Sequence, residues 1–368
     1  LNANICYEKG YDVFIDNPCD QWKRIHVYGK ILLYMPGIKN FPKFYFLLFP
    51  IFINLLFLFT IVSSLFTYPD KKKFFLSGLF ILSVPVLLVI ERSNIDLLIF
   101  IFTFFIAKNN NIILKHLLIF LSTISKFYPL CLSIVFLFEK NFKKIIINIL
   151  ILFFIIFLFF SFQTDTLVKI YNNQGVATAS SFGVYEFSFM GFINLFKYLN
   201  ININNTNYNW IIYLYVSLFV LLPTFITNFI FSKKVYCNDL LNNLFNENTF
   251  ENKFYILSST IILICYFIFS NFIYREIFFL GLIPWILKNE EKFKNNNFLT
   301  FYFYALLFKF LLTSIIVFLS RNKFFPNLDF IFVTIKHSID IYIMSIITYI
   351  FVLSSIIFFK KVIKKPKN

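Results

Sequence analysis

Two unbroken apolar runs constrain this chain more than any motif in it: FLLFPIFINLLFLFTIVSSLF at 46–66 and IIINILILFFIIFLFFSF at 145–162. Each approaches the roughly 20 residues that an α-helix needs to cross about 30 Å of hydrocarbon. Several more apolar segments follow. The chain is 59% hydrophobic and 14% charged, whereas about a quarter of an ordinary soluble domain is charged. A soluble core cannot hide that much apolar surface, so the bilayer is the solvent and the fold class is an all-α bundle of membrane helices. The 58 Phe, with many Lys, Asn and Ile, match the bias of an AT-rich genome, and nothing functional is read into them.

The formal charge of +16 would suggest nucleic acid in a soluble protein. In a membrane protein its placement along the membrane normal matters more, because cytoplasmic turns are enriched in Lys and Arg. With Lys71, Lys72 and Lys73 set inside and the sides alternated at each break in hydropathy, the chain starts outside. Helices are then expected at about 44–67, 74–90, 95–107, 112–125, 129–138, 145–162, 208–231, 254–270, 276–287, 299–319 and 340–359, about 9–12 membrane helices with short ones included. The inner turns then hold 19 cations and seven acids, the outer ones 14 cations and 11 acids. A single helix over 112–138 would invert everything after it and put Lys140, Lys143 and Lys144 outside, against the rule. Pro129 favours two pieces.

Segments of 10–14 residues are too short to cross alone and suit re-entrant hairpins or buried helices. Here they turn at the outer side and carry ERSNID (91–96) and SKFYP (125–129) toward the membrane interior. The expected organisation is one membrane domain over 1–368. It comprises an outer loop at 1–42, a helix group at 43–162, an outer loop at 163–206 and a second helix group at 207–368. A start at Leu1 in a polar stretch is the pattern of a chain that lacks its initiator Met and one preceding helix.

Four places hold chemistry-bearing residues. The opening loop, CYEKGYDVFIDNPCDQWKRIHVYGK (6–30), has Asp12, Asp16 and Asp20 beside a membrane helix, the residue type that a general base requires. A solvated loop with a turn at Asp16-Asn17-Pro18 explains the same residues, and both readings stay open. Cys6 and Cys19 share this loop on a face where disulfides persist. Closing about 14 residues would contribute roughly 3 kcal/mol.

The second place is Glu91, Arg92, Asn94 and Asp96, four polar side chains between apolar segments. They form either an intramembrane ionisable cluster or a capped interfacial turn. The third is Lys126 with Tyr128, and the fourth is Tyr274, Arg275 and Glu276. Cations at an interface offer a lipid phosphate both charge and several donors; for Lys126, snorkelling is the competing explanation. Lys309 and His337 read as isolated polar residues that packing or solvation accounts for. The stretch GVATASSFGVYEFSFMGFINLFKYL (175–199) reads either as a segment along the interface over a pocket or as an ordinary connector. No Walker loop, HExxH, GxSxG or CxxC occurs, and no metal set is indicated, although a divalent ion stays an open alternative.

GYDVF (10–14), NPCD (17–20), ERSNIDLLIF (91–100), SKFYPL (125–130) and NFIYREIFFL (271–280) resemble bacterial membrane proteins related to glycosyltransferase family 87, in the GT-C superfamily. The resemblance covers roughly 10–290. It implies a bacterial inner-membrane hexosyltransferase that takes a mannose-like sugar from a polyprenyl-phosphate donor to a lipid or glycan acceptor on the outer face, without nucleic acid. It further implies an Asp of the first outer loop as base, with Asp12 the best match and Asp16 and Asp20 as competitors. Arg92, Lys126 and Arg275 would hold the donor phosphate, and Glu91, Asn94, Asp96, Tyr128, Tyr274 and Glu276 would line the pocket. The alternatives are a polysaccharide polymerase or ligase and a transporter or flippase of lipid-linked glycans.

Overall fold

The computed structural model describes residues 2–33 without 22, 24, 27 and 28, then 43–65, 71–173 without 140, residue 188, 236–268, 273–292, 297–322 and 326–364. Most of the described residues are helical, with no strand among them. Four helices are long and apolar enough to cross a membrane, at Leu48–Leu65, Phe142–Ser161, Phe298–Phe318 and Ile331–Lys360. The helix expected at 208–231 and the segment 175–199, Ser188 apart, lie outside the described residues.

After α1 (Asn2–Glu8) and the long α2 (Lys43–Leu65), the helix expected at 74–90 comes as two, α3 (Lys71–Ile81) and α4 (Val84–Glu91). The break has a local cause. Pro85 opens α4, where its missing N–H costs nothing, Ser83 Oγ donates to the Phe80 carbonyl at 2.6 Å, and the freed Val84 N–H donates to Ser314 Oγ at 3.0 Å.

The next three pieces follow the expected spacing. Asn94 caps α5 (Ile95–Lys108) by accepting from the Asp96 N–H at 3.1 Å, and Asn111 caps α6 (Ile112–Ser125) by accepting from Ile113 N at 2.9 Å. A 3₁₀ segment, Tyr128–Phe138, returns against α6. The chain therefore reverses at Lys126–Phe127, and one helix across 112–138 is excluded. A 3₁₀ helix rises about 2.0 Å per residue against 1.5 Å for α, so these 11 residues reach about 22 Å, which is most of the hydrocarbon depth.

The lipid-facing helix α7 (Phe142–Ser161) exposes Leu150, Phe153, Phe154 and Phe157, and the amphipathic α8 (Thr164–Asn173) follows it. After α9 (Tyr236–Asn246) comes α10 (Phe250–Ile268), the centre of the bundle, packed on α5 and on both 3₁₀ segments, Tyr128–Phe138 and Ile273–Leu282. Gly281 permits this closeness, because a Cβ there would stand 2.0 Å from Ser258 Oγ on α10. Phe100 holds the core together, edge-on or tilted against Phe57, Phe254 and Phe278. The second 3₁₀ segment continues into α11 (Ile283–Lys292), where Trp285 and Tyr255 rings lie 4.3 Å apart.

The last two helices, α12 (Asn297–Asn322) and α13 (Pro326–Lys364), pack along each other. Here the sequence reading needs correction: much of the stretch left between the helices expected at 299–319 and 340–359 is the first part of α13. Its polar residues Lys336, His337 and Asp340 are each 1% exposed or less, so they are turned into the bundle rather than out to water.

Candidate anion site at the bundle end

The two charged turns singled out in the sequence meet. Asp96 stands in the first turn of α5, held there by the Asn94 cap, and Lys126 lies just past the end of α6 where the chain reverses. Lys126 Nζ donates to both carboxylate oxygens of Asp96 at 2.8 Å and reaches Asn94 Oδ1 at 3.5 Å. The Tyr128 hydroxyl, one residue into its 3₁₀ segment, donates to Asp96 Oδ1. From the other 3₁₀ segment Arg275 brings Nε to 3.8 Å from Asp96 Oδ2 and its guanidinium to 5.1 Å from the Tyr128 ring centre.

Asp96 is fully buried, Lys126 is 5% exposed and the Arg275 side chain 15%. Among the described residues two cations thus share one carboxylate, in a low-dielectric setting where charge interactions are strong. The Arg275 Nε–H is buried and meets no hydrogen-bond acceptor among the described residues. Such an arrangement can take up an anion with little rearrangement, because Asp96 fixes both cations in advance.

The other expected pocket residues divide. Asn94 caps and contacts the cluster, and Tyr274 is buried beside Arg275. Glu91 and Arg92 are exposed on the turn before Asn94 and are not part of the cluster. Glu276 faces a different way from Arg275: its Oε1 lies 2.8 Å from Lys309 Nζ and 3.6 Å from Lys336 Nζ, and Thr313 Oγ1 donates to its Oε2 at 3.5 Å. Lys309 also pairs with Asp340 at 2.7 Å, as does Lys336. The structure therefore corrects the reading of Lys309 as isolated; it belongs to a buried quartet of two cations and two carboxylates. The spacing of Lys336 and Asp340, four residues apart on one helix face, was the one signal of this in the sequence.

The first loop sits on the same end. Gly29 N–H donates to the Ser125 carbonyl at 3.2 Å, next to Lys126, and only glycine fits, because a Cβ there would lie 1.7 Å from the Ile124 carbonyl oxygen. Cys6 and Cys19 form a disulfide with Cα atoms 5.6 Å apart. Cys6, Val13, Phe14 and Leu33 build a small core with Ile170 of α8 and with Phe127. Asp12 Oδ2 pairs with Lys169 Nζ at 2.6 Å, and its Oδ1 accepts from the Phe14 N–H at 3.2 Å. Asp16 is exposed and Asp20 buried. Burial against Phe14 holds His26 down to about 4, with a backbone hydrogen bond at Gly29 working the other way. The contribution of α8 was beyond sequence reasoning, since Lys169 lies 157 residues from Asp12. Among the described residues no group of three His, Cys, Asp or Glu stands close enough to hold a metal ion. No family model, curated protein or solved structure matches the chain.

Proposed function

We propose that this chain is a polytopic membrane glycosyltransferase of the GT-C kind, which moves a mannose-like hexose from a polyprenyl-phosphate donor to a lipid or glycan acceptor at the outer face of a bacterial inner membrane. One observation carries the reading: Lys126 and Arg275 converge on the carboxylate of Asp96 beneath the first loop. A donor tail lies among the lipid chains, so its phosphate meets the protein at the membrane end of the helices, the level of this cluster. As the bond from the anomeric carbon to the phosphate oxygen breaks, Lys126 and Arg275 would take up the charge on the departing lipid phosphate. A first-loop carboxylate would accept the proton of the attacking hydroxyl. Asp96 serves to position the cations, since both its oxygens are engaged by Lys126.

The Asp12 carboxylate, held by Lys169, is the preferred base, with Asp16 and Asp20 as competitors. Asp12→Asn keeps the shape and removes the proton affinity, so turnover should fall by about 10²- to 10⁴-fold, with folded protein retained. Loss with Asp16→Asn or Asp20→Asn instead would move the assignment, and full activity in all three variants would end the first-loop mechanism.

A second reading, a transporter or flippase of lipid-linked glycans, is favoured by the buried quartet of Glu276, Lys309, Lys336 and Asp340, because ionisable groups at membrane depth commonly line a path. Movement of labelled lipid-linked sugar across proteoliposomes without glycosyl transfer would select it.

A further inference from the structure

At the end of the bundle opposite the Asp96 cluster, α6, α7 and α10 all begin. Lys115 of α6 lies 3.7 Å from Glu139, the residue that precedes α7 by a short turn, and Lys253 of α10 donates to Asn110 Oδ1 at 3.2 Å in the link between α5 and α6. Three helix N-termini thus converge, each bearing the positive end of its peptide dipoles. Both lysines stand in opening turns, where a cation is disfavoured, and both are buried, with 2% of each exposed.

Among the described residues their acidic partners are too few. Glu139 is 29% exposed and serves Lys115 at a long ion-pair distance, whereas Lys253 has no carboxylate within 4.0 Å among the described residues. The two lysines meet through one link, because Asn110 accepts from Lys253 and the next residue, Asn111, caps the helix start that carries Lys115. Glu251, two residues before Lys253 on the same helix, is engaged by Lys288 at 2.7 Å. Lys108, Lys143 and Lys144 are exposed around the same end and add charge of the same sign. Among the described residues Lys253 is thus a buried ammonium hydrogen-bonded to an amide oxygen at the positive end of its own helix, which is destabilising unless an anion joins it.

We propose that Lys115, Lys253 and the surrounding helix starts bind a phosphate group, and that its source is the headgroup of an anionic membrane phospholipid. The position fits that source: the site lies where α5 through α7 and α10 reach the end of their apolar lengths, the level of lipid headgroups, and lysines gathered between membrane helices at such a level suit a phosphodiester. The site is separate from the Asp96 cluster and independent of any glycosyl transfer.

The test is thermal unfolding of the full purified chain in neutral detergent with phosphatidylglycerol, phosphatidylcholine or inorganic phosphate added. Phosphatidylglycerol should raise the unfolding temperature and phosphatidylcholine should not. Lys253→Met and Lys115→Met should each weaken the phosphatidylglycerol response about fivefold or more in half-effect concentration. Lys9→Met, at the other end, should leave it unchanged. Lys253→Met should also melt higher than wild type without lipid, which separates loss of the site from loss of the fold. Should that variant not fold, Lys115→Gln gives the same reading, and Lys253→Arg must retain the response. A response equal in wild type and the Lys→Met variants, or equal for the two lipids, overturns the proposal. A rise with inorganic phosphate alone that Lys253→Met abolishes overturns the lipid source and assigns the site to free phosphate.

Discussion

Replacing Lys309 by Met removes the ammonium that bridges Glu276 at 2.8 Å and Asp340 at 2.7 Å, and it leaves those two carboxylates with Lys336 alone. All four side chains are 1% exposed or less, so water cannot solvate the surplus negative charge. Breaking a buried ion pair from one side costs about 3–5 kcal/mol. Met fills much the same volume as the lysine stem, so little of that arises from a cavity. For 368 residues, an unfolding entropy of about 2.1 cal/mol/K per residue converts this to a fall in Tm of about 4–6 °C. The double variant with Glu276→Gln restores the balance, one cation to one carboxylate, and should recover most of the loss, because charge-balanced replacement of buried ionic groups is often close to neutral. Unfolding followed by intrinsic fluorescence in a mild detergent reads both. A Lys309→Met chain as stable as wild type would refute the quartet, and so would a double variant that is worse than the single one.

The first loop yields three further expectations. Reducing Cys6–Cys19 reopens a loop of about 14 residues and should weaken its fold by roughly 3 kcal/mol, measured as faster proteolysis within 7–33 while the helices stay resistant. Gly29→Ala places a methyl in the Ile124 carbonyl and should undock the loop to a similar degree in the same assay. For His26 the neutral form is the folded one: its value falls from 6.5 to about 4, so the unfolded loop binds more protons between those limits. Loop stability is therefore complete above about pH 6.5 and declines toward pH 4, by at most about 3 kcal/mol, and His26→Gln should flatten that profile in hydrogen exchange. For the topology, a membrane-impermeant thiol reagent on intact spheroplasts should modify a cysteine placed at Asn173 and spare one placed at Lys144. The reverse pattern would turn the protein over in the membrane.

Legibility in the sequence followed the range of the interactions. The ends of α5 and α6 could be read because Asn94 and Asn111 cap them locally and Pro129 forces a break. The convergence of ERSNID and SKFYP followed from two short helices that had to turn on the same side, and the structure joins Asp96 to Lys126 across 30 residues. The same residues also showed the limit. Arg92 and Arg275 look alike in sequence, each a guanidinium at the edge of an apolar run, yet one is exposed and the other reaches Asp96.

The quartet was hidden because its members lie on three elements, and Lys309 by itself carries no pattern. The start of α13 was misread for a related reason. Arg321, Lys323, Asp329 and Lys336 make 320–339 look like a solvated loop, whereas Lys336 and Asp340 neutralise one another and two partners inside the bundle. Hydropathy counts charges singly and so misplaces those that are buried in pairs. The 3₁₀ form of Tyr128–Phe138 and Ile273–Leu282 gave no signal in composition, although it lets short segments span the depth that carries Tyr128 and Arg275 to the same carboxylate.

The most direct test of the account is glycosyl transfer by the purified chain in proteoliposomes supplied with a radiolabelled polyprenyl-phosphate hexose and a lipid extract as acceptor. Wild type should move label from the donor to an acceptor, Arg275→Lys should weaken donor use about tenfold through loss of the planar fork, and Arg275→Ala should lower turnover by at least about 10²-fold. An absence of transfer by wild type, or transfer at the same rate in wild type and Arg275→Ala, would contradict the claim that the Asp96 cluster receives a donor phosphate.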